Sequence, residues 1–207
     1  QTLAVPARRD LDDPVTRRGE QIFYAAGCAG CHTPTLRTGV LPGVPEVAHQ
    51  VMRYTLTKAA QVATRHKVFI CIEPHGIYTK TAFGLLNIVA LVDSPWIAIN
   101  WDTGNSYLAG IEDPYEALEK VRDHVRHVHA KDISLEHSEE ERGKVTGTPV
   151  GCACGEGVVD WERVFDILEP LDREIFFSVE CGRVDEAERS LQFLTKAMGD
   201  RAIAWPA

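Results

Sequence analysis

Four short runs of the chain have the character of strands, and each finishes on side chains that can ionise. Val68-Phe69-Ile70-Cys71-Ile72-Glu73, Ile97-Ala98-Ile99-Asn100-Trp101-Asp102 and Ile175-Phe176-Phe177-Ser178-Val179-Glu180 are largely apolar and end on a carboxylate. The fourth, Arg126-His127-Val128-His129-Ala130-Lys131, places Val128 and Ala130 on one face and His127, His129 and Lys131 on the other, since successive strand side chains point to opposite faces. Burying several ionisable groups without partners is costly, so that second face is expected to look into a cavity or at a ligand. Between these runs the apolar spacing predicts helices over 79–91, 114–125, 161–171 and 184–197, with a long one over 46–66 before the first strand. In that long helix Val47, Val51, Tyr54, Leu56, Ala59, Val62 and Ala63 are available for a buried face. A further helix is predicted over 14–26, where Asp13-Pro14 makes a helix start. The Gly- and Pro-rich stretch over 40–45 reads as a joint between a segment 1–45 and a body 46–207. Apolar strands alternating with amphipathic helices mean parallel strands covered by helices, an α/β fold of about four parallel βα units.

In a parallel α/β barrel every C-terminal strand end opens onto one face, so Glu73, Asp102, His129 and Glu180 are expected to converge. One strand-terminal acid is ordinarily a helix cap or an ion-pair partner. Four ionisable groups in register, one per strand, are harder to dismiss. Three carboxylates and one imidazole suit Mn²⁺, Mg²⁺ or Co²⁺, and Zn²⁺ also fits. The 207 residues, 44% hydrophobic and 25% charged, suffice for one good core or two small ones. A net charge of -8 argues against nucleic acid as a partner, and no run of about 18 apolar residues offers a membrane span. The six cysteines do not form the pattern of a disulfide scaffold. Cys71 and Cys181 lie in or beside strands and read as inert. Cys152 and Cys154 flank Ala153 in a loop, with no further Cys or His close in sequence to complete a metal clip. The first residue is Gln1 rather than Met, which is expected of a chain whose leader was removed or trimmed, and no signal peptide is left to read.

Cys71-Ile72-Glu73-Pro74-His75-Gly76, Asn100-Trp101-Asp102-Thr103-Gly104-Asn105 and His127-Val128-His129-Ala130-Lys131-Asp132 resemble the sugar phosphate isomerase/epimerase family. Gly155-Glu156-Gly157-Val158-Val159-Asp160-Trp161 and Ser178-Val179-Glu180 continue the same order. That family is xylose-isomerase-like, with a (β/α)8 TIM barrel, and the resemblance covers roughly residues 46–200. It implies metal ligands at Glu73, Asp102, His129 and Glu180. It also implies that Glu73 and Glu180 double as an acid/base pair, moving a proton at the carbon beside a metal-bound carbonyl of a sugar or polyol. His75, Asn105, Lys131 and Glu156 are then candidate substrate contacts. A structural role is as plausible for His75, and turn capping for Glu156. Asn105 stands where some members carry a His, and His127 reads as a packing or supporting residue rather than a ligand.

The amino-terminal segment points elsewhere. Cys28-Ala29-Gly30-Cys31-His32 is the c-type haem attachment pattern. Its spacing lets two thiols bond the porphyrin while the next residue offers an imidazole to the iron. Arg18-Gly19-Glu20-Gln21-Ile22-Phe23 before it and Thr33-Pro34-Thr35-Leu36-Arg37-Thr38-Gly39 after it resemble the haem-binding segment of bacterial di-haem cytochromes of the peroxidase and thiol-oxidoreductase type. This second resemblance covers only about residues 14–40, and no well-placed distal ligand follows, since His49 and Met52 fall in the next predicted helix. It implies haem c on Cys28, Cys31 and His32 and an extracytoplasmic location, whereas the barrel family is compatible with the cytoplasm.

The two resemblances leave an incomplete barrel. Eight strands and about 250 residues make a full one, and the four strands read here match the carboxy-terminal half of the pattern. Two open edges favour pairing, so a homo-oligomer covering them is expected. Three readings stay open: a metal-dependent isomerase or epimerase with an incomplete barrel, a haem-binding electron-transfer protein, and a fused fragment with neither activity. The same fold hosts endonucleases and dehydratases, but an abasic-site endonuclease would want more His ligands and a basic face.

Overall fold

In a computed structural model of the protein, four parallel strands form one sheet, and helices cover one of its faces. The structure describes residues 13–25, 45–144, 150–201 and 203. In chain order the helices are α1 (Pro14–Ala25), α2 (Pro45–His66), α3 (Ala82–Val89), α4 (Thr103–Ala109), α5 (Pro114–Val121), α6 (Ser138–Glu141), α7 (Trp161–Leu168) and α8 (Val184–Asp200). The strands are β1 (Ile70–Ile72), β2 (Ile97–Asp102), β3 (Val125–Ala130), β4 (Asp132–Ile133), β5 (Gly151–Cys152) and β6 (Phe176–Val179). The sheet order is β1-β2-β3-β6, every pair parallel, while β4 and β5 form a separate antiparallel ribbon. This is an α/β fold with the open form of a partial barrel, as the alternating pattern predicts.

The chain divides into two units, Gln1–Glu46 and Val47–Ala207. In the first, α1 starts where the Asp13 carboxylate accepts from the backbone N–H groups of Val15 and Thr16 at 2.7 and 3.1 Å. Cys28, Cys31 and His32 lie outside the described residues, so the haem-attachment reading has no structural counterpart here.

The core of the second unit lies between the sheet and its helices. Ile99, Trp101, Val125, Val128 and Ala130 from β2 and β3 meet Leu85, Leu118, Val121, Trp161, Phe165 and Leu194 from the helices. The alternate residues, Cys71, Asn100, His127 and Ser178, share the opposite face. Register sets that face: Asn100 pairs with His127, Asp102 with His129, and His129 with Ser178.

Boundaries differ from the sequence expectation where local chemistry intervenes. Helix α3 starts at Ala82, not 79, because the Thr81 hydroxyl caps it by accepting from the Gly84 N–H. Helix α5 starts at Pro114 as read, with the Asp113 carboxylate capping the N–H groups of Tyr115 and Glu116. It stops at Val121, and a 3-10 turn over Arg122–His124 leads into β3. In α2 the buried positions are Ala60 and Ala63, with Leu56 partly buried, whereas Val47, Val51, Tyr54 and Val62 are exposed. Four of the seven residues expected on its buried face therefore face solvent. Helices α4 and α6 and the β4–β5 ribbon are not foreseen by the apolar pattern. No helix among the described residues is long and apolar enough to cross a membrane.

Candidate metal centre

Each of the four sheet strands delivers one ionisable side chain to the carboxyl edge of the sheet. Glu73 follows β1, Asp102 ends β2, His129 is the penultimate residue of β3, and Glu180 follows β6. Backbone pairing carries the alignment past the end of β6, where the Glu180 N–H donates to the Ala130 carbonyl at 3.0 Å. One ligand-capable atom from each of these four residues lies within 4.8 Å of all the others. The convergence expected from the strand ends is therefore present.

The geometry inside the group is that of an ion site more than of an ion-pair network. His129 Nδ1 stands 3.0 Å from Glu180 Oε2, 3.5 Å from Glu73 Oε2 and 3.8 Å from Asp102 Oδ2. None of these contacts has hydrogen-bond geometry, and among the described residues His129 Nδ1 and Asp102 Oδ2 are buried without a hydrogen-bond partner. Buried polar atoms are nearly always satisfied. Two of them facing the same pair of glutamate oxygens form a donor set that a divalent cation would satisfy. Oxygen atoms with one nitrogen suit Mn²⁺, Mg²⁺ or Co²⁺, and Zn²⁺ can also accept them.

The second oxygens are spoken for. Asp102 Oδ1 accepts from the Asn105 backbone N–H at 2.7 Å and so caps α4. Glu73 Oε1 accepts from Asn105 Nδ2 at 2.9 Å. Glu180 Oε1 accepts from Lys131 Nζ at 2.7 Å, and the same ammonium donates to Asn105 Oδ1 at 3.2 Å. Burial pushes the Asp102 carboxyl up to about 7. The Asn105 N–H and the Lys131 charge oppose that rise, and the charges of Glu180 and Glu73 add to it. For Glu180 burial also acts upward, but the hydrogen bond and charge of Lys131, with His129, outweigh it and hold the carboxyl below its ordinary value. For Lys131, burial favours the neutral amine, yet the bond to Glu180 and the surrounding carboxylates keep its pKa raised. Two neighbouring carboxyl groups are thus pushed in opposite directions.

The remaining sequence candidates sort cleanly. Asn105 and Lys131 join the cluster, but through bonds to its carboxylates. His75 lies in the exposed loop after β1, where its backbone N–H donates to Glu73 O and Thr79 Oγ1. Glu156 is exposed and ion-paired with Arg189 on α8 at 2.7 Å; it is not among the four convergent residues. His127 lies beside the cluster, with Nε2 2.7 Å from Ser178 Oγ and its ring 5.1 Å from that of His129.

Residues with unassigned roles complete the frame. Thr103 is buried, and its hydroxyl donates to the Lys131 carbonyl at 2.6 Å, tying the end of β2 to the end of β3. Gly104 leaves room for the lysine stem, since a Cβ there would stand 2.8 Å from Lys131 Cγ. Asp132 is fully buried and accepts from the N–H groups of Ile133, Gly155 and Val159 and from the Trp161 indole, all at 2.9–3.0 Å. The sequence signal for Asp132 is an acid directly after the strand-end lysine, followed by a Gly-rich loop and a Trp.

The family model described as xylose isomerase-like TIM barrel matches residues 15–197. The chain belongs to this family. The match begins upstream of the haem-attachment pattern and runs through it. Inosose dehydratase of Clostridium perfringens is 30% identical over 149 residues, covering 69% of this chain and 50% of that protein. The crystal structure of a xylose isomerase domain protein from Planctomyces limnophilus superposes with a TM-score of 0.64 at 26% identity, covering 94% of this chain and 68% of that one. The IOLI protein, whose structure has a binding zinc atom, is similar in fold, with a TM-score of 0.57 at 20% identity over 73% of this chain and 55% of that one. The chain spans about half the length of the inosose dehydratases it matches. It is thus a member of the xylose isomerase-like TIM barrel family, and it carries a cluster capable of holding a metal.

Proposed function

We propose that this chain is a divalent-metal-dependent isomerase- or epimerase-like protein acting on a sugar or polyol by proton transfer next to a carbonyl. The observation that carries the reading is the convergence of Glu73, Asp102, His129 and Glu180, with Asp102 Oδ2 and His129 Nδ1 buried and lacking hydrogen-bond partners. These four residues would hold Mn²⁺, Mg²⁺, Co²⁺ or Zn²⁺, and the cation would polarise a carbonyl and its neighbouring hydroxyl. Glu180, held ionised by Lys131, is suited to remove a proton from the carbon beside that carbonyl. Glu73, on the strand at the other end of the sheet order, is suited to return one.

A dehydratase reading shares the first step and is favoured by the 30% identity to inosose dehydratase. There the proton would leave the same carbon, the C–O bond one carbon further on would break, and the departing hydroxyl would take a proton and leave as water. Incubation with ketoses and inososes in D₂O separates the two. Deuterium uptake with mass otherwise conserved is the isomerase or epimerase result, and loss of water to an ultraviolet-absorbing enone is the dehydratase result.

The prior test is elemental analysis of the purified protein and of Glu180→Ala. Near-stoichiometric divalent metal in the wild type, lost in the variant, is the expected outcome; absence of metal from both would end this reading. The haem alternative rests on Cys28, Cys31 and His32 in sequence alone. Its test is haem staining after expression with cytochrome maturation machinery.

A further inference from the structure

We infer that Asn105 and Lys131 act together as a positioning pair that sets the reach and orientation of the two glutamates. The inference rests on the metal-site reading above and goes beyond it in assigning these two residues. A polar chain links the two glutamates of the cluster. Glu73 Oε1 accepts from Asn105 Nδ2 at 2.9 Å, Asn105 Oδ1 accepts from Lys131 Nζ at 3.2 Å, and Lys131 Nζ donates to Glu180 Oε1 at 2.7 Å. The amide is used in both directions, as donor to one carboxylate and as acceptor from the cation that holds the other.

The consequence lies in which oxygens are left. Each glutamate commits Oε1 to the chain and turns Oε2 toward His129 Nδ1, at 3.5 Å for Glu73 and 3.0 Å for Glu180. Glu73 and Glu180 follow strands at opposite ends of the sheet order, and the Asn105–Lys131 link joins their side chains directly. The link is itself anchored. The Lys131 backbone N–H donates to Thr103 Oγ1 at 3.2 Å, and Gly104 leaves the space through which the lysine stem passes. Asn105 is fixed by its own backbone N–H on Asp102 Oδ1. That last bond is independent of its side chain, so replacing the amide leaves the cap of α4 in place.

Supporting hydrogen bonds to metal-ligating groups typically change metal affinity about 10- to 100-fold. The test is Mn²⁺ binding by calorimetry on the full 207-residue chain, with thermal unfolding as the folding control. Asn105→Leu, close in volume and neutral, is expected to weaken binding at least about tenfold. Asn105→Ala serves in its place should the leucine disturb folding. The effect of Lys131→Met is expected to differ between the wild-type and Asn105→Leu backgrounds, because both break one chain. In the metal-free protein the Asn105 side-chain amide resonances should shift on Lys131→Met. Wild-type-like Mn²⁺ affinity in Asn105→Leu, or strict additivity of the two substitutions, overturns the inference while leaving the metal reading intact. Absence of Mn²⁺ binding by the wild type overturns the metal reading and the positioning role with it.

Discussion

At Asp102 one carboxylate serves two purposes, and its two oxygens show how. Oδ1 caps α4 while Oδ2 is buried among the ligand-capable atoms without a hydrogen-bond partner. Burial first, reinforced by Glu180 and Glu73 against the pull of the Asn105 N–H and Lys131, brings its pKa to about 7 from 3.8. The direction of the linkage follows. A folded-state pKa above the unfolded value stabilises the metal-free protein fully at pH below about 4, and that contribution is lost as pH rises toward about 7. A cation at the cluster requires the ionised form and must displace that proton. The rise in melting temperature on adding Mn²⁺ should therefore be larger at about pH 8 than at about pH 6, and Asp102→Asn should reduce the rise at about pH 8. A rise at about pH 8 unchanged by Asp102→Asn would mean that Asp102 does not take part in binding.

At the scale of elements, what could be read in the sequence is what repeats. Three of the sheet strands are legible as apolar runs and β3 by its alternation of apolar and ionisable residues, and α7 and α8 as amphipathic periods, because burial on one face writes a period into the sequence. Helix α4 was not visible: Thr103-Gly104-Asn105-Ser106-Tyr107 contains few residues that favour helix. It forms through the Asp102 cap and the Ser106 hydroxyl, which donates to the Asp102 carbonyl at 2.6 Å. The β4–β5 ribbon has two residues per strand, too short to carry a pattern. Its surroundings depend instead on long-range bonds converging on Asp132. The ligand-capable cluster is legible because each member stands at a strand end, whereas the link from Asn105 and Lys131 to the glutamates exists only in three dimensions. The loop over 155–157 gives a direct check. A Cβ on Gly157 would stand 2.2 Å from Asp132 Oδ1 and 2.3 Å from the Ile133 carbonyl, and overpacking of this kind costs about 1–3 kcal/mol. Asp132→Leu removes the acceptor for four donors at once, where single hydrogen bonds to charged groups contribute about 1.5–3 kcal/mol. Both Gly157→Ala and Asp132→Leu should lower the denaturant midpoint, Asp132→Leu the more. Equal stability of Asp132→Leu and wild type would show that this carboxylate does not organise the loop.

For the whole molecule the open question is what meets the two ends of the sheet. Among the described residues β1 pairs only with β2, and β6 only with β3. A parallel barrel closes at eight strands, and unpaired strand edges invite association with another chain. Two copies related by a two-fold axis along the barrel direction would bring β1 of one beside β6 of the other in parallel, four strands from each. Side chains at both ends fit such a use. Phe176 on β6 is 53% exposed, and α2, which precedes β1 in the chain, leaves Val51, Tyr54 and Val62 exposed. On the face opposite the helices Asn100 is itself buried, and among the described residues its Oδ1 has no hydrogen-bond partner. We expect the 207-residue chain to run as a dimer in size-exclusion chromatography with light scattering. Phe176→Lys and Tyr54→Lys should each shift it toward monomer, by placing an ammonium where apolar surface would be buried. Closure would also set both metal clusters on one rim, giving two cations per dimer, with each cluster built from a single chain. A monomer at tens of micromolar that still binds one cation would separate site assembly from barrel closure and leave the pairing without support.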